Sequence, residues 1–248
     1  MTVQDIFNFL NSKFPVSTAC DFDNVGVLVG DKQQEVKTAI IALDCNDLVV
    51  EKAINENAQL IVTHHPVIFN PLKNVLSDSL IYKLIKNNIS VISMHTNLDV
   101  GVGGVNDSLA NAISLNNIET VLAEDGYALR IGTVSPVSAT QFAEQLKNSL
   151  NTTIKYVETE RQIENVLICS GSGGNFLNEA VKYGCDAFVT ADVKHNVFLE
   201  ASHLNIAIFD AGHFETENVV IDQLFNLLSN QFINIKFITE QTNLIKNR

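Results

Sequence analysis

The chain has 248 residues, a formal net charge of -12, 46% hydrophobic residues and four scattered cysteines. That length buries a sizeable core as one large α/β domain or two small ones. The acidic balance works against broad binding to nucleic-acid backbones, and the lack of a CxxC pair argues against a disulfide framework or zinc knot.

The longest apolar run, Ala39 to Leu43, is far too short for a membrane span, and Asp5, Asn8, Asn11 and Lys13 break up the N-terminus. A cytoplasmic protein without signal or anchor is expected. Ile6, Phe7, Leu10 and Phe14 have helical spacing, which predicts an opening helix ending before Pro15. Asp21 to Asn24 then form a turn into a short strand, Val25 to Gly30. A stronger strand covers Thr38 to Leu43 with Asp44 at its end. A helix from Asp47 to Asn57 precedes the strand that begins at Leu60, and a helix from Asp78 to Asn87, capped by Ser77, precedes a strand from Ile89 to Met94.

Beyond a glycine-rich turn at Gly101 to Gly104, a helix is expected to end near Ile113, followed by a polar stretch from Asn116 to Gly126. The pattern restarts with a strand from Tyr127 to Val134, a helix with capping-box spacing at Ser138 and Gln141, and a strand from Thr153 to Val157. Strands at Asn165 to Ser170, Ala187 to Thr190 and Ile206 to Phe209 then alternate with helices at Asn175 to Tyr183 and Val197 to His203. The second half echoes the first, so the expected fold is two similar α/β domains, residues 1–125 and 126–215. The tail, about residues 216–240, shows helical spacing at Val220, Leu224, Leu227 and Leu228 and is expected to pack back on the first half.

The candidate chemistry gathers at strand ends, which converge on a crevice in open parallel α/β sheets. His64 and His65 follow the buried-strand run Leu60 to Thr63, and Pro66 biases His65 toward an extended backbone that splays the two rings. His213 and Glu217 share one face of a helix if it starts near His213. Asp99 follows the third strand. Read blandly, these are a hydrogen-bonded pair, a capping histidine with a solvated glutamate, and a turn aspartate. Together, three imidazoles and two carboxylates suffice for two first-row divalent ions, and Glu217 has the reach to bridge them; zinc, manganese, iron, nickel and cobalt all suit such N/O ligation. His95 reads as a second-layer or core histidine, Lys194 as a phosphate contact or a solvated lysine, and the two Gly-x-Gly-Gly turns as tight turns more than as anion cradles.

These motifs resemble the GTP cyclohydrolase I type 2 homologues, also called NIF-three-like proteins. The resemblance rests on Asp23-Asn24-x-Gly26-x-Leu28-x-x-Gly30, Val62-Thr63-His64-His65-Pro66, His95-Thr96-Asn97-Leu98-Asp99, Gly103-Gly104-Val105-Asn106-Asp107, Ser170-Gly171-Ser172-Gly173, Thr190-x-Asp192-x-Lys194 and Asp210-x-Gly212-His213-x-x-Thr216-Glu217. It implies metal ligands His64, His65, Asp99, His213 and Glu217, with Glu217 contacting both ions, two similar α/β domains with the dinuclear site between them, and a ring-shaped homohexamer built as a trimer of dimers. The chain looks like the short form, without an inserted domain. Three positions depart from the pattern: Phe22 stands for a frequent Trp, Ala191 for Gly, and Asn196 for a His, with His195 beside it.

The family name implies opening of the guanine imidazole ring of GTP. The leading expectation is a metal-dependent hydrolase acting on a nucleotide or phosphoester, in which a hydroxide held between the ions attacks carbon or phosphorus and Lys194 or His95 assists. The alternative is a metal-binding ring that scaffolds or interacts without turnover. A nucleic-acid-binding ring fits less well with 16 Lys plus Arg against 28 Asp plus Glu.

Overall fold

A computed structural model describes residues 1–246, which divide into one unit of residues 1–102 and 221–242 and another of residues 103–220 with 243–246. In the first unit, α1 (Val3–Lys13) opens with a capping box in which Thr2 and Asp5 satisfy each other's backbone amides, and it buries Val3, Ile6 and Leu10. Strands β1 (Gly26–Val29) and β2 (Thr38–Ala42) follow, then α2 (Asp47–Asn55), β3 (Leu60–Thr63), α3 (Leu80–Lys86), β4 (Ser90–Ser93) and the short α4 (Thr96–Val100). Every residue of β3 and β4 is buried, with Leu60, Ile61, Val62, Val91 and Ile92 in the core and Thr63, Ser90 and Ser93 buried beside them.

The second unit begins with α5 (Val105–Ala112), then β5 (Asn116–Leu122), β6 (Ala128–Val137), α6 (Ala139–Leu150), β7 (Lys155–Tyr156), β8 (Ile163–Ile168), α7 (Leu177–Lys182), β9 (Ala187–Thr190), α8 (His195–His203), β10 (Ala207–Asp210) and α9 (His213–Glu217). Its sheet runs β5-β6-β8-β9-β10-β7, with β8, β9 and β10 parallel. Leu109 and Ala110 of α5 join one core cluster with Phe142, Ile168, Val189 and Phe209, which places this helix in the second unit although it lies upstream of the pattern change near Asp125. The chain then returns to the first unit as α10 (Val220–Gln231) and β11 (Lys236–Glu240). Strand β11 adds in parallel to β2 and completes the sheet β1-β4-β3-β2-β11, while Phe232 meets Phe9 of α1 edge to face at 5.4 Å.

Several local expectations change. Ser79, not Ser77, caps α3, its Oγ accepting from the Tyr82 amide at 3.3 Å. Residues 116–122 form an edge strand where a polar connection is expected, because an exposed strand carries no apolar alternation to read. Strand β7 shrinks to two residues paired antiparallel to β10, α8 starts two residues early at His195, and α4 is an additional helix. Among the described residues, no helix is long and apolar enough to cross a membrane.

Candidate metal centre

In the first unit the three parallel strands β2, β3 and β4 end side by side, and each contributes. Asp44 follows β2, His64 and His65 follow β3, and His95 leads from β4 into α4, which carries Asp99. The Thr63 hydroxyl bonds the His65 carbonyl at 2.9 Å and lies 2.8 Å from the Ser93 hydroxyl, tying the ends of β3 and β4 together.

His64 is fully buried, and its Nδ1 lies 3.0 Å from the Met94 carbonyl. A carbonyl only accepts, so Nδ1 carries the proton and Nε2 presents its lone pair. His65 Nδ1 meets Asp44 Oδ1 at 2.7 Å, and His95 Nδ1 meets Asp23 Oδ1 at 2.8 Å. The rings cluster with centroids 4.9, 5.1 and 5.6 Å apart, each with one ligand-type atom within 4.8 Å of the others. Asp99 is a buried helix residue rather than a turn cap: its amide bonds the His95 carbonyl, and its Oδ1 lies 3.5 Å from His64 Nε2.

Asp23 explains the Asp-Asn motif. Burial would raise its carboxyl, but hydrogen bonds from the His95 ring and from the Thr96 hydroxyl and amide outweigh it and hold the group down to about 2. Neighbouring Asn24 donates to the Ile68 carbonyl at 2.6 Å, pinning the loop that follows His65 and Pro66.

In the second unit α9 begins at His213 behind Gly212, whose φ of +83° suits glycine. His213 Nδ1 meets Asp192 Oδ2 at 2.7 Å and Nε2 meets Glu217 Oε2 at 3.1 Å. The Glu217 hydrogen bond is the largest cause that raises the His213 imidazole from 6.5 to about 9, with burial opposing it and Asp192 adding to it. The Gly171 turn makes room for this carboxylate: a Cβ there would lie 2.0 Å from Glu217 Oε1. Its amide donates to Thr216 Oγ1 at 3.1 Å and that of Gly173 to Thr190 Oγ1 at 2.9 Å, so this glycine-rich stretch is a turn satisfied within the protein, not an anion cradle.

The donor set fits a divalent metal. Two ligand atoms bound at about 2.0–2.2 Å to one ion stand about 3–3.5 Å apart. The His213–Glu217 separation of 3.1 Å and the His64–Asp99 separation of 3.5 Å match that spacing. All the donors are nitrogen or oxygen, and each imidazole is oriented through Nδ1 by a carboxylate or carbonyl.

The first unit thus brings His64, His65, His95 and Asp99 together, and the second His213 and Glu217. Lys194 caps α8 through its backbone; its side chain is exposed, and its ammonium makes no hydrogen bond or ion pair among the described residues. The orienting carboxylates Asp23, Asp44 and Asp192 are what the sequence reading passed over. Position at a strand end was the available signal for Asp44 and Asp192.

Residues 1–245 match the Duf34/NIF3 (NGG1p interacting factor 3) family. The chain belongs to this family. A Clostridium acetobutylicum relative named GTP cyclohydrolase 1 type 2 homolog is 33% identical, over 98% of this chain and 97% of its own. Staphylococcus aureus protein SA1388 superposes with a TM-score of 0.90 at 28% identity, covering 100% of this chain and 99% of its own. Reduced HcgD from Methanocaldococcus jannaschii gives 0.82 at 28% identity, covering 96% and 97%.

Proposed function

We propose that this Duf34/NIF3 chain is a metal-dependent hydrolase of a nucleotide or phosphoester, with two divalent ions held by His64, His65, Asp99, His213 and Glu217. The observation that carries it is the repeated anchoring of imidazole Nδ1 atoms, by Met94, Asp44 and Asp192, an arrangement that would leave Nε2 as the atom each of these histidines offers to a metal. Relatives named GTP cyclohydrolase 1 type 2 homolog put GTP first among the substrates to try.

A divalent pair supplies Lewis acidity and an activated water at neutral pH. The chain's own groups do the rest. Glu217, held against Gly171, would be one of the residues that hold the ions. His95, steadied by Asp23, stands beside His64 and His65 to move a proton, and the exposed ammonium of Lys194 is available to a substrate phosphate. The N/O set serves zinc, iron, manganese, nickel or cobalt. The proposal includes assembly as a toroidal homohexamer in the cytoplasm.

The test is metal content by inductively coupled plasma mass spectrometry on tag-free wild type, His65→Ala and Glu217→Ala, with native mass of each assembly. GTP and phosphoesters are then screened with the metal found. Roughly two ions per chain in wild type, lost in variants that keep the assembly and accompanied by loss of turnover, is the expected result. Metal-free wild type after reconstitution sinks the hydrolase. Bound metal without turnover on the whole panel transfers the assignment to a metal-binding scaffold or interaction protein.

A further inference from the structure

We propose that Phe22 and Phe69 form a stacking platform for a planar heteroaromatic ring, the base of a nucleotide, at the border of the histidine cluster in the first unit. This deepens the reading above and rests on it for the nucleotide class.

Phe22 and Phe69 are 66% and 46% exposed, and clustered exposed apolar rings mark a surface with a use. Their centroids lie 6.3 Å apart at 50°, too oblique for the two to stack on each other. Phe69 in turn meets His95 edge to face at 6.2 Å and 84°. The aromatic surface therefore runs from solvent up to the candidate metal ligands.

The rings are mounted on one frame. Phe22 directly precedes Asp23, which accepts from His95 and Thr96, and Asn24 holds the Ile68 carbonyl, one residue before Phe69, at 2.6 Å. The same two-residue motif thus steadies His95 and both exposed rings. A platform fixed beforehand loses little entropy on taking up a flat ligand. Stacking on a neutral π face is also insensitive to the chain's net charge of -12, which disfavours recognition through phosphates alone.

The experiment is isothermal titration of the metal-loaded full chain with GTP, ATP, CTP and inorganic tripolyphosphate, for wild type, Phe22→Leu, Phe69→Leu and Phe69→Trp. Wild type is expected to prefer the nucleotides. Either Leu variant lowers nucleotide affinity about five- to tenfold and leaves tripolyphosphate binding unchanged, while Phe69→Trp retains the preference. Equal wild-type affinity for tripolyphosphate and nucleotides, or equal loss of both ligands in the Leu variants, overturns the platform. So does dissociation of the assembly by Leu with nucleotide binding intact, which gives the rings to contact with a second copy. Metal analysis of the same samples separates the two claims: base-selective binding by a metal-free protein supports the platform and removes the hydrolase, whereas a metal-loaded protein without base selectivity overturns the platform alone.

Discussion

Gly171→Ala tests the construction of the candidate ligand pair His213 and Glu217 in the second unit. Gly171 has a φ of +58°, and giving an L side chain that left-handed backbone costs about 1–2 kcal/mol. The added Cβ would also stand 2.0 Å from Glu217 Oε1, where real Cβ atoms keep beyond 3.0 Å, so the carboxylate must retreat by at least 1.0 Å, the difference of those two distances. The first cost is shared by any left-handed glycine, and the second is specific to Glu217. Gly184→Ala isolates the first, because Gly184 has a φ of +68° and nothing within 4 Å of the Cβ position. Both variants should lose roughly 2–8 °C in melting temperature by scanning fluorimetry of the metal-free protein. Only Gly171→Ala should also lose metal affinity, by about 10- to 100-fold in a chelator competition, as displacement of a ligating or orienting group does. Wild-type metal affinity in Gly171→Ala, or an equal loss in Gly184→Ala, would refute the assignment of Glu217 as a ligand held by this turn.

Asp44→Asn removes the carboxylate that orients His65 from a half-exposed position; metal affinity should fall about 10-fold or more while far-ultraviolet circular dichroism and melting stay near wild type. Asp107→Ala removes the part-buried partner of Arg130, which is 1% exposed, and should destabilise the chain by about 3 kcal/mol in urea titration, whereas Asp107→Leu with Arg130→Met should recover only part of that loss, because the Gly103 amide still loses its Asp107 acceptor. Ser79→Ala should cost about 1 kcal/mol through the lost α3 cap, against less than about 0.5 kcal/mol for Ser77→Ala; the reverse order would restore the sequence-based cap.

The segments that carry the candidate ligands are legible in the sequence where one element alone determines them. Leu60 to Thr63 announces a buried strand by composition, and His64 and His65 at its end announce chemistry. The His213–Glu217 pair needs only helical spacing. Asp99 is less legible, because α4 buries Thr96, Asn97, Leu98 and Asp99 alike and so shows no polar face to mark it as a helix. The orienting pairs are invisible for a different reason: Asp23 reaches His95 across 72 positions, and Asp44 reaches His65 and Asp192 reaches His213 across 21. Such contacts exist only once strands have taken their order in the sheet. The same holds for β11, whose strand character the sequence carries but whose pairing with β2 depends on α10 having crossed back first.

The choice of orienting group follows from the cost of burying charge. Of His64, His65, His95 and His213, His64 is the fully buried one, and its Nδ1 partner is the neutral Met94 carbonyl. A carboxylate there would add a second buried negative charge next to Asp99, with no water to solvate it. His65 and His213 are partly exposed, and their carboxylates Asp44 and Asp192 are about half-exposed, so solvent carries much of the charge. Asp23 is the exception, with its side chain buried. There the protein replaces water with donors: besides His95, the Thr96 amide, the Thr96 hydroxyl and the Asn24 amide all bond the carboxylate, which is why it stays ionised. An imidazole backed by an anionic partner is the stronger base and the stronger metal ligand. Orienting carboxylates thus stand where solvent or added donors support the extra charge, and a neutral carbonyl takes that place at His64, where neither is at hand.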